Sequence, residues 1–135
     1  MSGRTFSVLP PDRCLELLTH QVIGRVAWSG DQGVQVLPVT YAVHDQGIVF
    51  RTAPYGLLAT LRDPCAVAFE VDRFDVDSRS GWSVVAQGRT RAVAAAEDLA
   101  ELWSAEDPVP WAPGTRNLFI TIAIDRLSGR IVGGV

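Results

Sequence analysis

Arg51 and Thr52 lie side by side where an alternating strand, residues 48–51, leads into a Thr-Ala-Pro-Tyr-Gly turn. A short apolar helix is predicted directly after this turn, over residues 57–61. A guanidinium can hold two phosphate oxygens at once, a hydroxyl adds a hydrogen-bond donor, and a helix start offers unpaired backbone N–H groups. These residue types predict an anion site at the turn. The alternative interpretation is a surface arginine beside an ordinary turn.

Composition excludes several other functions. The chain has 135 residues and a net charge of −3, which indicates one domain, residues 1–135, without the basic face that nucleic-acid binding needs. All 12 basic residues are arginine, so covalent catalysis by lysine is excluded. The N-terminal residues lack a signal-peptide pattern, and no apolar run reaches the roughly 18 residues of a membrane span. We therefore expect a cytoplasmic protein that binds neither nucleic acid nor membrane.

The sequence also lacks several common motifs of catalytic, metal and dinucleotide sites. It contains no Gly-x-Ser-x-Gly nucleophile elbow, no His/Cys cluster that could hold zinc and no Gly-x-Gly-x-x-Gly loop. Cys14 and Cys65 are too few for a metal site and are expected to be free thiols. An enzyme of this sequence would need a bound cofactor to carry the reaction, and no catalytic residue is assigned.

Hydrophobic periodicity predicts a chain made mostly of strands. Pro38 lies inside the second strand and cannot donate to a ladder, so this strand is expected at a sheet edge or at a bulge. Gly88 indicates a bend or bulge in a long later strand. A turn at residues 125–129 is expected after the last strand. The predicted strands cover residues 22–29, 34–43, 48–51, 65–72, 82–93 and 118–124, and the predicted helices cover residues 7–20, 57–61 and 94–105, with a proline-rich loop at residues 106–115.

Several segments, taken in order, resemble one known family. They are Leu-Pro-Val-Thr-Tyr at 37–41, Phe-Arg-Thr at 50–52, Val-Ala-Phe-Glu-Val-Asp at 67–72, and Gly-Trp-Ser-Val-Val at 81–85 with Gln-Gly-Arg at 87–89. Their order and spacing resemble the flavin-binding split-barrel proteins related to pyridoxamine 5′-phosphate oxidase. The resemblance implies a mainly β fold, a six-stranded antiparallel Greek-key split β-barrel of the FMN-binding type with peripheral helices. It also implies a homodimer with FMN at the subunit interface.

The resemblance further implies which residues bind FMN. Arg51 and Thr52 would hold the phosphate, and backbone groups of Val39, Thr40 and Tyr41 would line the isoalloxazine ring.

On the far side of the ring, the resemblance implies contacts from Trp82, Ser83 and Gln87. Ser83 and Gln87 share one face if their strand is regular. Arg116 would approach from the proline-rich loop of the partner chain, and Trp111 lies in the same loop.

The chain departs from the family in the turn after Thr52. Many members carry a lysine one or two positions after the turn glycine, where this chain has Leu57 and Leu58. Loss of one charge-assisted hydrogen bond costs about 1.5–3 kcal/mol, or roughly ten- to a hundred-fold in affinity. Backbone N–H groups of Leu57 and Leu58 are the expected compensation for this loss.

We therefore expect an FMN-dependent oxidoreductase that passes electrons between a nicotinamide donor and a small acceptor. Two alternatives stay open at this point. One is a protein of the same fold that holds a flavin, a deazaflavin or haem without turnover, and the other is a structural dimer whose cofactor site has decayed. Oxidation of pyridoxamine 5′-phosphate itself is not expected, because the chain is short and has no recognisable substrate-binding motif of that enzyme.

Overall fold

A single antiparallel sheet organises the chain in the computed structural model, which describes residues 4–106 and 108–134. Asp107 lies outside the described residues, so the loop predicted over residues 106–115 is described on either side of it. The strands are β1 (Arg4–Val8), β2 (Ile23–Gly30), β3 (Gly33–Thr40), β4 (Ala42–His44), β5 (Gly47–Thr52), β6 (Ala66–Asp75), β7 (Ser80–Ala92) and β8 (Leu118–Gly134), and the helices are α1 (Pro11–Leu18), a 3-10 helix (Leu58–Arg62) and α2 (Ala96–Ser104). Within the described ranges, no helix has the length and apolar character needed to cross a membrane.

Strand β8 joins the two parts of the sheet. The strand order is β3-β2-β6-β7-β8-β5-β4, and every pairing is antiparallel. One edge of β8 pairs with β7, whereas the other edge pairs first with β5 and then, near the end of the chain, with β1. This architecture confirms the predicted split-barrel fold class, with eight strands where six were expected.

The additional strands, β1 and β4, each have an identifiable cause. The helix predicted from residue 7 begins only at Pro11, because a residue that precedes a proline is held in an extended conformation. The preceding segment therefore pairs with β8 as β1. The strand predicted over residues 34–43 is divided at Tyr41, whose backbone N–H donates to the carbonyl oxygen of Val22 at 3.0 Å.

Alternation along the strands separates the buried side chains into two clusters. The main core lies inside the barrel, and α1 closes it with Leu17 and Leu18. A smaller cluster lies on the opposite face of β5 and β8, where α2 covers it, and consists of Val49, Leu102 and Phe119. Fully buried strand residues at the centre of the main core are Val26, Phe50, Phe69, Val84 and Ile120.

The turn expected at residues 125–129 is wrong, because β8 continues through this segment without a break. The register with β7 shifts here: Gln87 faces Arg126, whereas Gly88 faces Ile124. The extra residue, Asp125, forms a β-bulge, so the polar and glycine residues that suggested a turn bend the strand instead. The bulge predicted at Gly88 is therefore present, and it brings the two strands unusually close.

Replacement of Gly88 by alanine should destabilise the protein strongly. An added Cβ would overlap the carbonyl oxygen of Ala123, which is backbone and cannot rotate away. We expect the free energy of unfolding to fall by about 2–4 kcal/mol in chemical denaturation. Gly30→Ala is the matched control, since its Cβ would make its shortest contact at 3.4 Å, with Nε1 of Trp28. Equal stability of the two variants would contradict this description of the bulge.

Candidate functional site

A hollow of about 280 Å³ lies where β5 ends, between the edge of the sheet and the loop that follows α2. Strands β2 and β3 contribute apolar walls, the 3-10 helix contributes Leu58, and the loop contributes an exposed indole, Trp111. Two guanidinium groups lie among these walls. The lining residues are Ile23, Pro38, Val39, Thr40, Arg51, Leu58, Pro110, Trp111, Ala112 and Arg116.

Arg51 reaches the hollow because of its place in β5. Alternation puts Phe50 into the main core and turns Arg51 to the face that α2 covers. Its Nε donates to the carbonyl oxygen of Arg116 at 3.0 Å. Its guanidinium carbon lies 4.5 Å from the centroid of the Trp103 ring and 5.3 Å from that of Phe119. No described carboxylate forms an ion pair with Arg51.

Arg116 supplies the second positive charge. Its Nε is buried and has no hydrogen-bond partner among the described residues, which is an unusual condition for a charged group. The residues that line the hollow include no acidic side chain, so neither arginine is neutralised there. A buried donor without a partner and an uncompensated positive charge together favour an anion as the ligand.

Thr40 ties the loop to the barrel. Its Oγ1 donates to the carbonyl oxygen of Val109 at 2.9 Å, and the bond from Arg51 to Arg116 holds the other end of the same loop. Both hydrogen bonds that hold the loop are therefore made by residues that were predicted to bind the cofactor. Pro38 lies on β3 at the edge of the sheet, as predicted, so its missing N–H costs no ladder bond to a further strand.

Thr52 and Leu57 lie apart from the hollow. Thr52 is only 2% exposed and Leu57 is 50% exposed, and neither lines the hollow. The turn between them is braced by Arg62, whose Nη2 donates to the carbonyl oxygen of Pro54 and whose Nε donates to that of Ala59. The phosphate role predicted for Thr52 therefore has no support from the position of its side chain.

Tyr41, which was predicted to line the ring, belongs to the core. Its hydroxyl donates to the carbonyl oxygen of Leu18 at 2.5 Å, and its ring meets Phe69 edge-on at 5.0 Å. Burial raises the pKa of this phenol far above its usual value. Because its backbone N–H is bonded to Val22, Tyr41 has no free donor for a ligand. Its role in this chain is to fix α1 on the barrel.

The predicted residues of β7 lie on other surfaces of the chain. Trp82 packs against the main core beside Ile131. Ser83 and Gln87 share the outer face of the sheet, as the regular strand predicted, and Gln87 is exposed. Within one chain, the hollow thus contains Val39, Thr40, Arg51, Leu58 and Arg116, whereas Tyr41, Thr52, Leu57, Trp82, Ser83 and Gln87 do not line it.

A small charged cluster lies on the outer face of the sheet, between the hollow and Ser83. Nη1 of Arg25 lies 3.3 Å from Oε1 of Glu70 and 3.8 Å from Oδ2 of Asp72. Partial burial, together with the hydrogen bond and the negative charge of Asp72, raises the pKa of Glu70 from 4.5 to about 7. These effects outweigh the opposite effect of Arg25.

The charge of Glu70 should make stability depend on pH. Because its pKa is raised in the folded protein, folding binds a proton, and stability should decrease as the pH rises through about 7. Glu70→Gln should flatten this decrease in denaturation midpoints measured from about pH 5 to about pH 8. Glu97→Gln, an exposed change on α2, should keep the wild-type dependence. An unchanged slope in Glu70→Gln would contradict this interpretation.

His44 contacts α2 at Glu101, two residues before Trp103, which contacts Arg51. Its Nε2 lies 3.4 Å from Oδ2 of Asp45 and 3.9 Å from Oε1 of Glu101, and it does not line the hollow. No catalytic role is assigned to His44 from the sequence. Trp103, in contrast, contacts Arg51. In the sequence, the helical spacing of Leu99, Leu102 and Trp103 predicts only an apolar face of this helix.

The fold is a wholly antiparallel split barrel, with a hollow at the end of β5 that two arginines line. The family model described as pyridoxamine 5′-phosphate oxidase matches residues 10–131. The chain belongs to this family, which confirms the resemblance found in its sequence. The chain matches no curated protein by sequence.

Solved structures share this fold over nearly the whole chain. An FAD-binding protein from Mycobacterium smegmatis is 29% identical with a TM-score of 0.78, and the match covers 94% of this chain and 99% of that one. A conserved protein of unknown function from Corynebacterium diphtheriae is 27% identical with a TM-score of 0.75, covering 96% and 98%. An FAD-binding protein from Mesorhizobium loti is 23% identical with a TM-score of 0.73, covering 96% and 98%, and shows likeness of fold alone.

Proposed function

We propose that the protein is a cytoplasmic flavoprotein that holds FMN in the hollow and serves as an oxidoreductase between a nicotinamide donor and a small acceptor. One observation carries the proposal: Arg51 and Arg116 line the same hollow without a carboxylate among the lining residues, and Nε of Arg116 is buried with no hydrogen-bond partner in the described part of the chain. A phosphate monoester has a charge of about −1.5 to −2 near neutral pH, which matches two guanidinium groups.

The walls of the hollow suit the rest of the ligand. Val39, Leu58 and Trp111 present apolar and aromatic surface next to the charged end. Ligand sites usually combine such surface with a few polar groups, in volumes of about 300–1,000 Å³. The hollow of about 280 Å³ is slightly smaller than that range, which favours a site that a second chain completes.

The residues around the hollow are suited to binding and orientation. A bound flavin would supply the redox chemistry. Arg51 and Arg116 would hold its phosphate, and the apolar walls would exclude water from one side of the ring. The lining residues include no histidine, carboxylate, cysteine or lysine, so they offer no usual general acid or base. Protons would therefore come from the substrates or from solvent.

A second candidate function has the same basis. Because the lining residues contain no general acid or base, a protein that holds a flavin without turnover fits the hollow equally well. FAD is the second candidate ligand, since the relative from Mycobacterium smegmatis is named as an FAD-binding protein. The phosphates of FAD would meet the same arginines.

Titration with FMN, FAD and riboflavin tests the phosphate site. We expect the wild-type protein to quench FMN fluorescence, and Arg51→Leu and Arg116→Leu each to weaken FMN binding about ten- to a hundred-fold. Riboflavin, which has no phosphate, should bind the wild type and both variants with similar affinity. Arg73→Leu, an exposed change on β6, is the matched control and should bind like the wild type.

The same titrations separate the ligands and the functions. FMN affinity should fall below about pH 6, where a phosphate monoester loses its second charge, whereas the phosphodiester groups of FAD do not titrate there. Oxidation of NADH or NADPH by the flavin-loaded protein supports the oxidoreductase function. Its absence with many acceptors supports a protein that binds a flavin without turnover. A wild-type protein that is purified colourless and shows no change in melting temperature with FMN or FAD would overturn both.

We further propose that two chains assemble so that the outer face of one sheet completes the hollow of the other. Ser83 and Gln87 lie on that face, on which Ile23 and Pro38 also border the hollow. Large apolar side chains near the hollow are exposed in the single chain, and cover by a second copy would remove them from water. They are Val36 on β3, and Val109 and Trp111 in the loop after α2.

A charge placed on this face should separate the two chains. We expect sedimentation to give the wild type twice the mass of one chain, and Val36→Arg the mass of one chain with weakened FMN binding. Val36 is 58% exposed on β3, so arginine there fits a single chain but would be desolvated in the dimer. Val76→Arg, at an 87% exposed position after β6, is the control and should remain dimeric. A monomeric wild type that binds FMN fully would exclude the dimer.

A further inference from the structure

We infer that Trp103 of α2 is a positioning residue that holds the guanidinium of Arg51 in place for an anion. The inference rests on the proposed function, because it concerns the same phosphate site. It gives α2 a role beyond covering the barrel.

The guanidinium of Arg51 has three described neighbours that orient it. The Trp103 ring lies 4.5 Å from the guanidinium carbon, and the Phe119 ring lies 5.3 Å from it. The two rings meet each other edge-on, with centroids 5.0 Å apart and planes at 88°. The carbonyl oxygen of Arg116 accepts the hydrogen bond from Nε. Together these contacts fix the position of a side chain that otherwise has many rotamers.

Aromatic neighbours orient a guanidinium without cancelling its charge. A carboxylate in the place of Trp103 would also hold Arg51, but it would neutralise the charge and compete with an anionic ligand. The face of an indole attracts the cation through its quadrupole and leaves the N–H donors at the edge of the guanidinium available. The single bond from Nε to Arg116 uses one donor of five.

Burial in the core does not explain the indole at this position. Trp103 is 51% exposed, whereas its neighbour Leu102 is 4% exposed and anchors α2 on Val49 and Phe119. The face of Trp103 that is covered includes the contact with Arg51. The indole also meets Phe119 of the smaller cluster edge-on, but half of the side chain stays exposed, so burial alone does not account for an indole here.

Flavin titrations of Trp103 variants test this role. Trp103→Leu keeps an apolar side chain but removes the aromatic face, and it should weaken FMN binding about three- to thirty-fold. Trp103→Phe should recover most of the affinity. Riboflavin affinity should change less than about two-fold in both variants, because the phosphate is absent. Melting temperatures of the free proteins, measured alongside, report whether each variant is folded.

Phe6→Leu is the matched control. Phe6 is also an exposed aromatic residue that contacts an arginine, since the guanidinium carbon of Arg130 lies 5.9 Å from its ring, but it lies on β1, away from the hollow. This variant should bind FMN like the wild type. Wild-type affinity in Trp103→Leu, or equal losses for FMN and riboflavin, would overturn the positioning role while the proposed function stands. Absence of flavin binding by the wild type would overturn the proposed function, and this inference with it.

Discussion

The pairing of β5 with β8 is the constraint on which the candidate site depends. Arg51 lies opposite Phe119 in this pairing, and Phe50 lies opposite Ile120. Since side chains alternate across a strand, a slip of one residue would turn Arg51 into the main core and Phe50 out of it. Burial of Phe50 and Ile120, both 0% exposed, makes that slip very unfavourable. The hydrophobic core thus determines which face of the sheet carries the charge.

The same pairing brings together groups that are distant in the chain. Phe119 and Arg116 come from the start of β8 and the loop before it, and Trp103 comes from α2. The guanidinium of Arg51 lies over the rings of Trp103 and Phe119, and the backbone carbonyl of Arg116 accepts a hydrogen bond from Nε of Arg51. Stability alone would be served better by a carboxylate near the two arginines. Its absence among the lining residues is the kind of local conflict that marks functional sites.

Much of the fold could be predicted from local sequence. The incorrect predictions concern features that local residue preferences do not determine. Alternation predicted β5, β6 and β7 well, Pro38 predicted an edge strand and Gly88 predicted the bulge. The segment after Ile124 was misinterpreted as a turn, because polar residues and a glycine have the same local preferences in a bulge. The division at Tyr41 depends on a hydrogen bond to Val22, which no local pattern reveals.

The candidate site shows even more clearly that local sequence does not reveal contacts between distant segments. Arg51 was recognisable because strand, turn and charge lie within a few residues, whereas the contact with Trp103 joins two elements about 50 residues apart. Spacing along α2 gave Trp103 and Leu102 the same interpretation, although only Leu102 is buried. Residue type therefore predicted the chemistry at Arg51, and tertiary structure was needed to find what orients it.

The absence of a lysine at Leu57 and Leu58 acquires a different meaning in this geometry. Leu58 lines the hollow as an apolar wall, and the second positive charge comes from Arg116 in the loop after α2. Charge near a phosphate matters by its distance in space and not by its position in the sequence. In the proposed site, Arg116 would therefore replace the interaction that a lysine after the turn would make. The loop that carries Arg116 is bonded to Thr40 and Arg51, so the replacement charge is held by the very residues with which it would share the ligand.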